Sequence, residues 1–199
     1  FDRMGRQAQD ISLTSIGAPV NTQVRWAMGS DRIRGRNRLV RDSLDAGSEW
    51  MLFLDDDQAF GPGLLQRLLS HDRDIVSSLY LQRQKPFSPV AYTKRDDDGT
   101  YTPLFLHDYE TNDGLGEVRA AGTGGMLIRS EVFHALEEPW FKDGEASEDL
   151  TFCLRAKQCG FPVHVDTGIE IKHVKPVEIG KQEFYKGLPK EEDPAPTFV

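Results

Sequence analysis

Ser48-Glu49-Trp50-Met51-Leu52-Phe53-Leu54-Asp55-Asp56-Asp57 is the stretch whose reading decides the fold. Five apolar residues run straight into three carboxylates. Gly47 precedes the run and Gly61-Pro62-Gly63 follows it, so it reads as a short strand buried on both faces. Its end delivers three acids to one point. Carboxylates gathered there repel one another and lose hydration, which calls for a positive partner. A hard divalent cation is the simplest candidate, because Mg²⁺ and Mn²⁺ take oxygen ligands. The plain alternative is a solvated acidic turn before a helix that starts near Pro62.

Working outward, the pattern alternates. Met4, Ala8 and Ile11 predict a helix over 3–14. Val24, Trp26 and Met28 share one face of a predicted strand over 23–30. Ser30 or Asp31 can cap a helix over 32–46 that turns Ile33, Leu39, Val40 and Leu44 inward. That helix also carries Arg32, Arg34, Arg36, Arg38 and Arg41. Leu64, Leu65, Leu68 and Leu69 form the apolar face of a helix opening at Pro62. Residues 75–80 read as a second buried strand. This alternation predicts a three-layer α/β/α domain around a mostly parallel sheet.

Beyond residue 80 the pattern changes. Residues 89–93 and 100–106 predict an antiparallel hairpin with an Asp98-Gly99 turn. Gly122-Thr123-Gly124-Gly125 leads into Met126-Leu127-Ile128, and a short helix follows over 131–137. A helix from Ser147 stops at Gly160. Short strands are predicted over 163–165 and 169–174. The residues after 175 are charged and proline-containing, so the reading is one domain over 1–175 and a tail over 176–199.

Composition narrows the function. Among 199 residues, 32 acids exceed 24 bases, for a formal charge of −8. This is not the footprint of a general nucleic-acid binder, although the arginine-rich helix and the lysines at 172, 175, 181, 186 and 190 could form a local basic patch. No apolar run approaches the ~20 residues that span a bilayer, and no secretory apolar region is visible. Cys153 and Cys159 fit neither a redox nor a zinc spacing and read as two reduced, buried thiols.

Three separated features could meet: Asp55-Asp56-Asp57, Glu148-Asp149 at a helix start, and His173 near the end of the last strand. In this order, and with the glycine turn between them, they resemble a GT-A glycosyltransferase of the family 2-like, small bacterial or phage type. The acidic strand end resembles the DxD motif of that class. Gly122 to Arg129 resembles its glycine turn and following strand. Ser147-Glu148-Asp149-Leu150-Thr151-Phe152-Cys153-Leu154-Arg155-Ala156 resembles its "ED" helix. The resemblance covers about residues 20–175. A GT-A domain opens on a strand whose end helps hold the nucleobase, and this chain opens in what would be the next helix. Either the first strand is missing, or the base pocket is built differently.

The resemblance implies transfer of a sugar from a nucleotide-diphosphate sugar, UDP-sugar first among them, to an acceptor hydroxyl. It implies Mn²⁺ or Mg²⁺ held by Asp57, Asp55 and His173, with the imidazole favouring Mn²⁺. Asp55 and Asp56 would lie towards the nucleotide, together with Arg36 and Asn37. Gly124 and Gly125 would let the backbone approach the donor sugar. Asp149 would act as general base in an inverting reaction, with Glu148 orienting the acceptor; in a retaining reaction Asp149 would position substrate. Trp140 and Phe141 would stack on an acceptor ring or pack in the core. The acceptor could be a glycan, a small molecule or a modified phage DNA base, and the setting is the bacterial or phage-infected cytoplasm. The alternatives are a sugar-phosphate nucleotidyltransferase and a non-catalytic sugar-binding module.

Overall fold

The computed structural model describes residues 22–29, 31–97, 100–104, 114–144 and 146–174, with the side chain of Arg95 set aside. The helix expected over 3–14, the Asp98-Gly99 turn and the tail after 175 lie outside these residues.

Asp31 caps the first helix, accepting a hydrogen bond from the Arg34 amide at 2.8 Å, and α1 runs Arg32–Asp45. Residues 22–28 form no strand, contrary to the alternation of Val24, Trp26 and Met28. Trp26 and Met28 are exposed, so this pattern has no covered face among the described residues to pack against.

Among the described residues nine strands follow from Trp50 onward. They are β1 (Trp50–Phe53), β2 (Gln58–Phe60), β3 (Ile75–Tyr80), β4 (Ala91–Arg95), β5 (Tyr101–Pro103), β6 (Leu115–Val118), β7 (Ala120–Ala121), β8 (Met126–Arg129) and β9 (Val163–His173). The remaining helices are α2 (Leu64–Ser70), α3 (Ser130–Ala135) and α4 (Glu148–Gln158). Pro62 sits in the turn before α2, whose N-cap is Gly63.

The larger sheet has the order β1-β8-β3-β9-β2, with β6 also paired to β9. Only β3·β9 is parallel; β1·β8, β3·β8, β2·β9 and β6·β9 are antiparallel. The expected mostly parallel sheet is therefore corrected to a mixed, mostly antiparallel one. β8 is the reason. It arrives late in the chain and inserts between β1 and β3, which run the same way as each other. The expected hairpin is present as β4·β5, and β7 extends it into a second small sheet. The two short strands expected at the end are one strand, β9, whose register against β3 shifts between Ser78 and Leu79.

Packing explains the layers. One face of the larger sheet packs Phe53, Ile128 and Val165 against Val40 of α1, Phe133 of α3 and Phe152 of α4. The other packs Val76, Leu127 and Ile171 against Leu64, Leu65 and Leu68 of α2. Full burial of each such side chain contributes about 1.5–3 kcal/mol. β3 is buried throughout, whereas β1 buries Met51 and Phe53 and leaves Trp50 and Leu52 half-covered. Trp140 and Phe141 also belong to this core. Phe141 stacks on Phe152 at 4.8 Å, and the Trp140 indole donates to the Phe133 carbonyl at 2.8 Å. Neither ring is available to an acceptor. Cys153 is buried as expected, but Cys159 is exposed, and both are free thiols.

Candidate functional site

β1, β3 and β9 share one direction, so their carboxyl ends gather at one edge of the sheet. Crevices at such ends are where open α/β sheets bind ligands. β1 ends into Asp55, β3 ends at Tyr80, and β9 ends at His173. Because β8 runs the other way, the Gly122–Gly125 turn that starts it stands at the same edge.

Gln58 ties these pieces together. Its Oε1 accepts from the Asp55 amide and its Nε2 donates to the Gly124 carbonyl, each at 3.2 Å. On the neighbouring strand it stands opposite His173. Gly124 is required here: a Cβ on it would lie 2.7 Å from Asp55 Oδ2 and against the Gln58 amide. Gly125 adopts a left-handed backbone at φ 101°, which turns its amide onto the Phe53 carbonyl at 2.8 Å.

Arg36 reaches the same place from α1. Its Nη1 donates to Glu148 Oε1 at 2.8 Å and its Nη2 to Asp55 Oδ1 at 3.2 Å. Glu148 is 3% exposed and Arg36 8%. Arg32 adds a longer contact to Glu148 Oε1, 3.5 Å from Nε. Glu148 is thus anchored by arginines at the start of α4, where the helix N-terminus also favours its charge. Its neighbour Asp149 accepts from Ser147 Oγ and from the Leu150 amide, both on Oδ1.

Asn37, expected on the nucleotide side, turns its side-chain amide onto the backbone of Ile33 and Phe141. Its amide donates to the carbonyls of Ile33 and Phe141 at 2.8 and 2.7 Å and accepts from the Phe141 amide at 3.1 Å. It clamps the 141 backbone to α1, and its two donors are both engaged. Asp56 is exposed.

Asp57 and His173 are neighbours through the backbone, the Val174 amide donating to the Asp57 carbonyl at 2.7 Å. His173 Nδ1 lies 2.6 Å from the Leu81 carbonyl, so Nδ1 donates there and Nε2 is the ring nitrogen left to meet a ligand. This is how ligating histidines are commonly oriented. Asp57 Oδ2 pairs with Arg83, while Asp57 Oδ1 is buried without a hydrogen-bond partner. Among the described residues no group of three or more His, Cys, Asp or Glu is arranged to hold a metal ion. Asp55, Asp57 and His173 are therefore not a closed three-ligand cage. One carboxylate and one imidazole still fit a cation that keeps its waters and takes further oxygens from a diphosphate.

Reading the chain alone missed Gln58, Arg83 and Tyr80. Tyr80 was visible as an aromatic with a polar tip closing a buried strand. Burial pushes its phenol well above the usual value, and the charges of Asp149 and Asp55 push the same way. A backbone hydrogen bond with Gly124 and the Arg36 guanidinium act in the opposite sense. Tyr80 therefore stays a neutral hydroxyl, its ring edge-to-face with His173 at 5.3 Å.

A second polar centre, away from this edge, was also missed. Asp166, fully buried in β9, accepts from Arg67 Nε and Nη2 at 2.6 and 3.0 Å and from the Gly168 amide at 2.8 Å, and pairs with His71 Nε2 at 2.7 Å.

No family model matches this chain, and no curated protein does. Solved structures do match. The crystal structure of A197 from STIV aligns over 72% of this chain and 68% of its own, at 19% identity and a TM-score of 0.52. The crystal structure of GalNAc-T7 with UDP, GalNAc and Mn²⁺ aligns over 74% of this chain, at 16% identity and a TM-score of 0.54. That alignment spans only 31% of the GalNAc-T7 chain. The likeness is one of fold: this chain has a mixed α/β fold similar to that of a GT-A glycosyltransferase. No described helix is long and apolar enough to cross a membrane.

Proposed function

We propose that this chain is a metal-dependent glycosyltransferase that moves a sugar from a UDP-sugar or related nucleotide-diphosphate sugar to an acceptor hydroxyl. The observation that carries the reading is Asp57. A buried carboxylate oxygen without a partner is costly unless a ligand completes it, and the Asp57 backbone is bonded to the end of the strand that carries His173, whose Nδ1 is turned onto a carbonyl. The GT-A-like fold and the UDP and Mn²⁺ bound to one structural neighbour support the same reading.

In this reading Asp57 and His173 hold Mn²⁺ or Mg²⁺, which when bound offsets the charge that develops on the leaving diphosphate. Asp55, fixed by Arg36 and by the hydrogen bond that its backbone amide donates to Gln58, faces the nucleotide side, with Asp56 exposed beside it. Gly124 and Gly125, whose missing side chains make room for Gln58, Asp55, Ser78 and Ile171, shape the turn on which the donor sugar would lie. Tyr80 offers a neutral hydroxyl within the site. Asp149 receives the acceptor proton on Oδ2, the oxygen outside its described hydrogen bonds, as the acceptor oxygen bonds to the anomeric carbon and the glycosidic electron pair leaves with the diphosphate. Glu148 holds the start of α4, and so Asp149, in place.

A panel of UDP-, GDP- and TDP-sugars with Mn²⁺, read by nucleotide release and thermal shift, tests the proposal. One donor is expected to raise the melting temperature and release its nucleotide only with metal. Asp57→Ala should abolish both while the protein remains folded. Full activity in chelator, or substantial activity in Asp57→Ala, would sink the assignment.

A further inference from the structure

The chain leaving β3 turns back at residues 82–88, where the Gln82 amide donates to the Ser88 carbonyl at 2.9 Å and the Phe87 amide to Gln84 at 2.8 Å. From this turn Arg83 reaches across to Asp57 Oδ2. The arginine is 51% exposed at its side chain. With Phe87, Ile171 and His173 it lines a cavity of ≈ 250 Å³. Arg83 therefore stands between a carboxylate and open space, in the cavity that His173 also lines. The other oxygen of Asp57, Oδ1, is buried and unpaired. The carboxylate is only partly satisfied by an arginine that is itself half in water.

We propose that Arg83 is an exchangeable counterion: it covers Asp57 until a divalent cation arrives with a diphosphate, and then turns onto the diphosphate oxygens. This rests on the reading of Asp57 and His173 as cation ligands. A guanidinium and a divalent cation sharing one carboxylate repel each other, so one excludes the other. A planar guanidinium matches two phosphate oxygens as well as it matches a carboxylate. The side chain is long and half-exposed, so the change needs rotation about its own torsions and no movement of the 82–88 backbone. The incoming diphosphate supplies the charge that Arg83 gives up at Asp57. Cation and nucleotide then each tighten the binding of the other, and the coupling is reciprocal. Arg83 acts as a positioning residue that makes cation binding conditional on the donor.

Mn²⁺ uptake, followed by the paramagnetic resonance of free Mn²⁺ with and without UDP, tests this on the wild type, Arg83→Gln and Arg83→Lys, each checked for folding by thermal melting. Arg83→Gln is expected to bind Mn²⁺ alone about tenfold more tightly than wild type, while the tightening produced by UDP shrinks by about the same factor. Arg83→Lys keeps the charge and should stay close to wild type for Mn²⁺ alone. Unchanged Mn²⁺ affinity in Arg83→Gln, or unchanged tightening by UDP, overturns the inference and leaves the cation site standing. If folded wild type and Arg83→Gln both fail to bind Mn²⁺ with UDP present, the cation site itself falls and the inference with it.

Discussion

Arg36 and Glu148 form a buried ion pair that joins the second turn of α1 to the first residue of α4, with Nη1 2.8 Å from Oε1. The second Arg36 nitrogen continues to Asp55, so one guanidinium links α1, α4 and the end of β1. Removing one member of such a pair strands the other. Glu148→Ala should lower stability by about 3–5 kcal/mol. Denaturant unfolding measures this. A double-mutant cycle with Arg36→Met should show strong coupling, the pair together costing less than the sum of the single changes. Additive effects would show that the two side chains are energetically independent.

Asn37→Ala leaves the Phe141 amide and carbonyl without the partners they have now. A loss of about 1–3 kcal/mol follows from those unsatisfied groups. Nucleotide affinity, measured by calorimetry on folded protein, should stay within about twofold, since no energetic coupling between Asn37 and a donor is expected. A selective loss of nucleotide binding with full stability would return Asn37 to the donor site.

Gly124→Ala drives a methyl group into Gln58 and Asp55. Donor binding should fall by at least about tenfold, the price of moving a positioning contact by a fraction of an ångström. Gly61→Ala is the control, because a Cβ there meets nothing within 4 Å. Equal donor affinities in the two variants would remove the glycine turn from the site.

Asp166 sets an acid limit on the fold. Burial raises its pKa, but the hydrogen bonds from Arg67, His71 and the Gly168 amide outweigh burial and hold the carboxyl below its ordinary value of 3.8. A depressed folded-state value means that the ionised form stabilises the native chain. That contribution is complete above the unfolded value of about 4 and disappears as pH falls through the folded one. Asp166→Asn should therefore be less stable than wild type at pH 7, by about 1–3 kcal/mol, because the half-exposed Arg67 left behind can be solvated. The gap should narrow as the pH drops below about 4. A gap that does not change with pH would assign the loss to packing alone.

Several elements were legible because local physics sets them. The cap at Asp31, the buried run of β3, the glycine turn and the apolar face of α4 lie where periodicity and turn chemistry put them. Strand direction was not legible. A buried run such as Met126-Leu127-Ile128 looks the same whether its neighbours run with it or against it, and only the later chain path decides. The alternation of Val24, Trp26 and Met28 misled for a related reason: a period of two predicts a strand only if a partner covers its face. In the site, the acids and the histidine could be named by type and order. Gln58 and Arg83 could not, since a neutral amide and a loop arginine carry no signal until the strands around them are paired. The Asp166 cluster had a faint one, an acid directly after Val163-His164-Val165 in a predicted strand.

Gln58 has a consequence for how this edge can change. It holds the acidic turn by one end of its amide and the glycine turn by the other, and its strand is zipped to that of His173. Three pieces drawn from distant parts of the chain are thereby locked into one rigid frame. Variation in what the protein accepts has little room inside that frame. It is left to the borders that Gln58 does not hold: the 82–88 turn on one side and the approach to α4, around Gly144 and Ala146, on the other. Relatives built on the same frame would differ in appetite at these two margins while keeping the same floor.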